Sequence, residues 1–161
     1  MTTIAIAGAT GAVGQQMLEC LKERNIKANL KLLASARSKG KEIDGHIVEE
    51  LTKESFQGVD YVLGATGNDI TKMWMPWAKE AGCIVVDNSS AYRLDEDVPL
   101  VIPEVNKEDI KNHHGLIANP NCATIIALVA LHALHKKYHI KRMIVTTFQA
   151  VSGAGVQGIE D

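Results

Sequence analysis

The 161-residue sequence predicts an α/β fold, a parallel sheet with helices on both faces, and three observations carry that prediction. Short apolar runs alternate along the chain with segments of helical periodicity. Glycines punctuate the passage from the first run to the first helix. The residues are 46% hydrophobic but only 4% aromatic, so the expected core is aliphatic. Strands alternating with helices imply right-handed βαβ units and hence parallel pairing.

Each element has its own signal. Thr3 to Ala7 is an apolar run ended by Gly8, after which Val13, Met17, Leu18 and Leu21 recur at helical spacing. Leu30 to Ala34 is a second β-type run, closed by the polar loop Ser35 to Lys41. Asp44-Gly45 between two short segments resembles a hairpin turn. Tyr61 to Leu63 reads as a strand; Asn68, Asp69 and Thr71 are cap candidates for a helix through Lys79, in which Pro76 is expected to kink or break the first turns. Ile84 to Val86 reads as a buried strand, Asn106 as the cap of a short helix starting at Lys107, and Gly115 to Ala118 as a strand. After Asn119-Pro120-Asn121 and Cys122, Ala123 to Lys137 is the most apolar helix candidate. Arg142 to Phe148 has the β-branched density of a strand. From Ser152 to Asp161 a glycine-rich turn opens what reads as a further, unfinished element.

Composition excludes several classes. Seventeen Lys and Arg against nineteen Asp and Glu leave a net charge of −2, with the basic residues scattered, so no nucleic-acid partner is expected. The longest apolar stretch, Ile125 to Leu131, is too short to span a bilayer, and Met1-Thr2-Thr3 leads into Ile4 without a basic segment, so neither membrane anchor nor export signal is expected. Three cysteines, Cys20, Cys83 and Cys122, at irregular spacing favour a reducing, cytoplasmic setting over a disulfide framework or zinc knuckle. Cys20, inside the first helix pattern, and Cys83, just before a buried strand, are expected in the core.

Gly8-Ala9-Thr10-Gly11-Ala12-Val13-Gly14 places glycines three apart between the first strand and first helix. Small residues there let the backbone approach a pyrophosphate, and the helix's free N–H groups and positive dipole end favour the anion. The same glycines equally serve a tight turn with close helix packing. The first reading makes the fold a Rossmann-like dinucleotide-binding domain. After the second strand, where a site preferring NAD places a carboxylate, stand Ser35-Ala36-Arg37-Ser38-Lys39. Arg37 can form a fork with a 2′-phosphate and stack on adenine, with Ser35 or Ser38 hydrogen-bonding to it, which argues for NADP. The alternative is a solvated basic loop.

Cys122 stands where the Asn119-Pro120-Asn121 turn meets an apolar helix, a position in which peptide dipoles favour a thiolate ready to attack. The alternative is a small buried hydrophobe. His132, His135 and His139 follow on one helix face, but no carboxylate joins them and no metal site is expected.

GATGAVG at 8 to 14, ASARS at 34 to 38, VDNSSAYR at 86 to 93, NPNCAT at 119 to 124 and QAVSGAG at 149 to 155 occur in that order. Together they resemble the aspartate-semialdehyde dehydrogenase family, across nearly the whole chain and as its N-terminal half. The resemblance implies an NADP-binding Rossmann-like domain over 1–121, followed over 122–161 by the beginning of a catalytic and dimerisation domain, expected to be incomplete. It implies Cys122 as the acyl-thioester nucleophile, Arg93 with Asn121 as ligands of the substrate's phosphate, and Gln149 as an active-site substrate contact. Ser152 and Gly153 match a loop closing on the nicotinamide side. Gly8, Thr10, Gly11, Ala12 and Val13 with Ser35, Arg37 and Ser38 match the NADP contacts. Beside these readings, Arg93 can simply pair with Asp95 or Asp97, and Gln149 can be a polar residue ending a strand.

The implied reaction is the NADPH-dependent reductive dephosphorylation of β-aspartyl phosphate to aspartate β-semialdehyde, toward lysine, threonine and methionine. The Cys122 thiolate attacks the acyl phosphate, phosphate leaves beside Arg93, and hydride from NADPH reduces the thioester to a thiohemiacetal that collapses to the aldehyde. The sequence departs from the pattern at Ala123, where serine is common after the cysteine, and at Thr66-Gly67-Asn68, in place of a serine-rich turn. The family's general-base histidine and the arginine for the substrate carboxylate are expected in a C-terminal portion outside this chain. These residues alone are therefore expected not to turn over, since a positioned base contributes about 10²- to 10⁴-fold. A homo-oligomer, assembled largely through that portion, is implied. N-acetyl-glutamyl-phosphate reductase shares the thioester route but usually has a glycine-containing NPGC-type turn, where this chain has Asn121. A noncatalytic dinucleotide-binding or assembly module is the third alternative.

Overall fold

A computed structural model describes residues 1–149. The chain divides into two compact units, Met1–Pro120 and Asn121–Asp161. Ser152, Gly153 and the glycine-rich turn around them lie outside the described residues.

In the first unit the elements run β1 (Thr3–Ala7), α1 (Ala12–Glu23), β2 (Asn29–Ala34), β3 (Glu42–Ile43), β4 (His46–Glu50), β5 (Tyr61–Gly64), α2 (Asn68–Glu80), β6 (Ile84–Asp87), α3 (Pro103–Asn106) and β7 (Leu116–Ala118). They form one seven-stranded sheet in the order β3-β4-β2-β1-β5-β6-β7. Every ladder is parallel except the β3–β4 hairpin. That hairpin turns through Asp44 and Gly45, both at positive φ (57° and 77°), as the Asp-Gly pair predicts. The chain lays β2 and β4 on one side of β1, then returns to place β5, β6 and β7 on the other, so the direction of winding switches at β1.

Alternation along the strands assigns the two faces. Ala5, Ala7, Leu33, Val62 and Val85 pack with Phe56, Val59, Trp74, Met75 and Ala78, so α2 covers one face. Ile6, Leu32, Ala34 and Val48 pack with Ala9 and Leu18, so α1 covers the other. Helices on both faces are thus what the sequence predicts. The Phe56 and Trp74 rings stack with centroids 5.7 Å apart. Burying each such large apolar side chain contributes about 1.5–3 kcal/mol.

Several local expectations change. Gly67, not a polar side chain, is the N-cap of α2; Asn68 is its first residue, and Thr71 lies inside the helix, fully buried. The Asn68 amide is free to bond elsewhere because Gly67 needs only an extended backbone (ψ 164°) to start the helix. The helix runs through Pro76, because Pro76 and the Lys72 carbonyl it leaves without a partner both lie on the exposed side, where water can serve. Asn106 ends α3, which opens with Pro103 at its first turn, and is also the N-cap of the short helix expected from Lys107, which is a 3-10 helix, Lys107–Asn112, with no side-chain cap. The Asn106 side chain reaches back, accepting from Ile102 N–H (2.8 Å) and donating to Leu100 C=O (2.9 Å). Cys83 is buried as expected, but Cys20 is exposed. In α1 only Gly14 and Leu18 are buried, so the apolar stripe is narrower than the periodicity indicates and Cys20 falls beside it.

The second unit contains α4, Cys122–Tyr138, ended by His139 in the left-handed region (φ 53°). No residue of α4 is buried. The strand expected over Arg142 to Phe148 is absent, and residues 139–149 have no regular structure. A strand exists by virtue of a hydrogen-bonded neighbour, and the described residues of this unit hold no second strand to supply one. No helix among the described residues is long and apolar enough to cross a membrane.

Candidate functional site

In a doubly wound sheet, ligands bind outside the carboxyl ends of the strands where the winding switches. Here that point lies between β1 and β5. Gly8 follows β1 at φ +92°, and a Cβ there would sit 2.5 Å from the Ala65 carbonyl oxygen. The loops after β1 and β5 therefore touch, and only glycine permits it. Gly8 and Ala9 N–H groups both donate to Leu33 C=O (2.8 and 3.1 Å), fastening the loop to β2. Gly11 donates back to Gly8 C=O at 3.1 Å and serves as N-cap of α1, with no side-chain cap. At Gly14 a Cβ would collide with the Gly8 carbonyl, so this glycine serves close packing of helix on loop. Gly11, Ala12 and Val13 are exposed and Thr10 is half-buried. The first intrahelical donor recorded is Gln15 N–H to Gly11 C=O (3.0 Å), leaving the earlier amides open at the positive end of α1. This backbone cradle fits a pyrophosphate.

The turn after β2 is a single 3-10 turn, Ala36–Ser38. Ser35 and Arg37 are exposed, whereas Ser38 is only 8% exposed. Lys39 pairs with Glu50 at 3.3 Å; among the described residues Arg37 has no ion pair. No acid stands between Ala34 and Lys41.

Arg93 lies in the long connection between β6 and β7. It does not pair with Asp95 or Asp97. Its Nε donates to Asn119 C=O (2.8 Å) and its Nη2 to Asn88 C=O (2.9 Å). Two neutral carbonyls hold the guanidinium in place, and among the described residues no carboxylate pairs with it, an arrangement suited to clamping an anion. Asn119 and Asn88 are themselves joined, Nδ2 to Oδ1, at 2.6 Å. Nearby, Tyr92 is pushed above the usual phenol range by burial first and then by the charges of Asp87 and Asp95.

Polar groups at the same edge escape a reading by motif. Trp74 Nε1 donates to Thr66 Oγ1 at 2.9 Å, and the Thr66 and Thr71 hydroxyls lie 2.7 Å apart. Asn68 Oδ1 accepts from Ser90 N–H at 3.0 Å, joining the start of α2 to the loop after β6. The signal was present only as small polar residues following each strand. An apolar groove of about 310 Å³ adjoins this edge, lined by Val13, Met17, Cys20 and Leu63 with Asn88.

In the second unit, Cys122 is exposed and is the first residue of α4. Asn121 is the N-cap, its Oδ1 accepting from Ala123 N–H (3.0 Å) and Thr124 N–H (3.4 Å). That cap leaves Cys122 at the open end of a seventeen-residue helix rather than packed in hydrocarbon. Asn121 thus has a structural task in addition to the substrate contact expected of it. Gln149 is exposed and ends no strand. The His135 and His139 rings meet edge-on at 6.2 Å, and among the described residues no group of three or more potential metal ligands gathers.

Sheet order, glycine cradle and switch-point crevice define a dinucleotide-binding domain of the doubly wound class. The family model described as semialdehyde dehydrogenase, NAD binding domain, matches residues 3–113, and the chain belongs to that family. Its relatives carry the particular name expected from the motifs. The aspartate-semialdehyde dehydrogenase of Bacillus subtilis (strain 168) is 46% identical over 163 residues, covering 98% of this chain and 47% of that protein. Among solved structures, aspartate semialdehyde dehydrogenase II of Vibrio cholerae complexed with ASA superposes with a TM-score of 0.89 at 46% identity, covering 99% of this chain and 50% of that one. The Candida albicans enzyme with NADP gives a TM-score of 0.75 at 27% identity, over 87% of this chain and 48% of that one. The chain thus spans about half the length of the relatives it matches.

Proposed function

We propose that this chain is the coenzyme-binding and acyl-accepting part of an aspartate-semialdehyde dehydrogenase that reduces β-aspartyl phosphate to aspartate β-semialdehyde with NADPH. The observation that carries the reading is Cys122, an exposed thiol opening a long helix in a chain of this family. A nicotinamide coenzyme supplies the hydride. The chain's own residues do the rest. Cys122 Sγ bonds to the acyl carbon as the carbon–oxygen bond to phosphate breaks, and phosphate leaves with the electron pair. Arg93, charged and held by carbonyls, receives the phosphate, while Asn121 and Gln149 contact the substrate. Thiolate leaves readily, so the reduced adduct collapses to aldehyde and regenerates Cys122.

Gly8, Thr10, Gly11, Ala12 and Val13 hold the pyrophosphate on the amides of α1, with Ser152 and Gly153 assigned to the nicotinamide side. NADP over NAD is favoured by exposed Arg37 and Ser35 beyond β2 and by the absence of an acid there. Ser38 is mostly buried, and its backbone closes the turn, its N–H donating to Ser35 C=O and its C=O accepting from Lys41 N–H, so exposed Ser35 is the better placed of the two serines. The same reading includes amino-acid biosynthesis toward lysine, threonine and methionine, a cytoplasmic setting and a homo-oligomer.

The test is acylation. Incubating the chain with β-aspartyl phosphate and mapping the adduct by peptide mass is expected to place it on Cys122 and to find none in Cys122→Ser. Equal labelling of exposed Cys20, or no adduct at all, overturns the reading.

A further inference from the structure

Asp87 closes β6 with a side chain that is 0% exposed, and among the described residues it makes no ion pair. A buried acid is costly unless its oxygens find donors. Here both come from one residue: Ser89 gives its N–H to Oδ1 at 3.1 Å and its hydroxyl to Oδ2 at 2.6 Å. The Ser89 oxygen in turn accepts from Ala91 N–H at 3.1 Å. The neighbouring strand fixes the seat, since a Cβ at Gly64 would stand 2.9 Å from Asp87 Oδ1. The Asp87 carbonyl accepts from Asn119 N–H at 2.8 Å, so the same residue ties down the end of β7.

We propose that Asp87 is a positioning residue for Arg93: by clasping Ser89 it gives residues 87–91 one shape and delivers the guanidinium to the carbonyls of Asn88 and Asn119. The proposal rests on Arg93 as the anion clamp. A carboxylate suits the task better than an amide because it only accepts, and Ser89 brings two donors. An asparagine would face the serine hydroxyl with either oxygen or a competing N–H, and the turn would lose its single solution. Nothing else among the described contacts of Asp87 competes for those two oxygens.

Two variants test this, Asp87→Asn and Ser89→Ala, the second sparing the buried acid in case the first does not fold. The readout is solvent exchange of the Arg93 Nε–H by nuclear magnetic resonance, with the amides of β1 and β2 as the reference for intact fold and inorganic phosphate as the anion probe. Expected is exchange at Nε about tenfold faster in each folded variant, the worth of a loosened charged hydrogen bond, with β1 and β2 still protected and phosphate binding weakened by a similar factor. Unchanged Nε exchange in a folded variant, or equal loss of protection throughout β1 and β2, overturns the proposal. Phosphate that binds wild type no more tightly than Arg93→Ala removes the clamp reading instead, while the Nε exchange still decides whether Asp87 positions the side chain.

Discussion

The glycine loop after β1 and the turn after β6 both present positive character to the same edge of the sheet, by opposite means. The first works by subtraction. Gly8 and Gly14 carry no side chain because the backbone of the neighbouring loop occupies the space, and α1 opens uncapped. The turn after β6 works by addition, filling its interior with Asp87, Ser89, Asn88 and Asn119 so that one long side chain, Arg93, is held through its Nε and Nη2. A site made by omission tolerates no added atom; a site made by a network tolerates partial loss, one bond at a time.

The contrast is sharpest under substitution. Gly14→Ala forces a methyl into the Gly8 carbonyl and the Ala9 Cα, both backbone, and is expected to destabilise by about 3 kcal/mol or more in urea unfolding. A loss under about 1 kcal/mol would show that the loop can shift after all. Arg93→Lys keeps the charge but gives up the fork, and is expected to cost about 2 kcal/mol by the same measurement, reduced by partial exposure. If both turns bind anions, Arg37→Ala belongs to a third kind, an exposed side chain with no ion pair among the described residues. It is expected to weaken NADPH binding about tenfold, leave NADH binding unchanged, and not alter stability. Equal loss for both coenzymes, seen by fluorescence titration, would return Arg37 to an ordinary basic loop.

The smallest effect concerns alkaline pH. Burial chiefly, and then the charge of Asp60, pushes the Cys83 thiol above its ordinary 9.0, and Tyr92 is likewise raised above 10.0. For both groups the fold prefers the neutral form. The stability this confers is whole below those ordinary values and is lost as pH rises through the folded-state ones. Tm is expected to fall as pH rises through the ordinary 9.0 of the thiol and on past the 10.0 of the phenol, and Cys83→Ala to fall less steeply.

The glycine loop was legible, whereas Arg93 was singled out by its motif without the network that holds it. Glycines three apart after an apolar run announce a tight passage from strand to helix, and Gly8, Gly11 and Gly14 stand where that reading puts them. The acids near Arg93 in sequence, Asp95 and Asp97, offered themselves as partners, but the carbonyls that hold it belong to residues 5 and 26 positions away. Only the adjacency of β6 and β7 brings those two together. The strand reading of 142–148 failed for a related reason: β-branched density describes a segment ready to pair, and pairing is a property of the neighbour. Cys122 was located by its turn and helix alone, whereas Cys20 was misplaced because helical periodicity does not state how wide the covered stripe is.

Trp74 lies stacked on Phe56 in the core while its indole N–H reaches the Thr66 hydroxyl, in the loop adjoining Gly8. An indole whose one hydrogen bond ends at the crevice is a built-in optical reporter. Whatever settles against Thr66 is expected to alter the polarity around that ring and to shift the share of the emission that Trp74, one of two tryptophans, contributes, without any label having been attached.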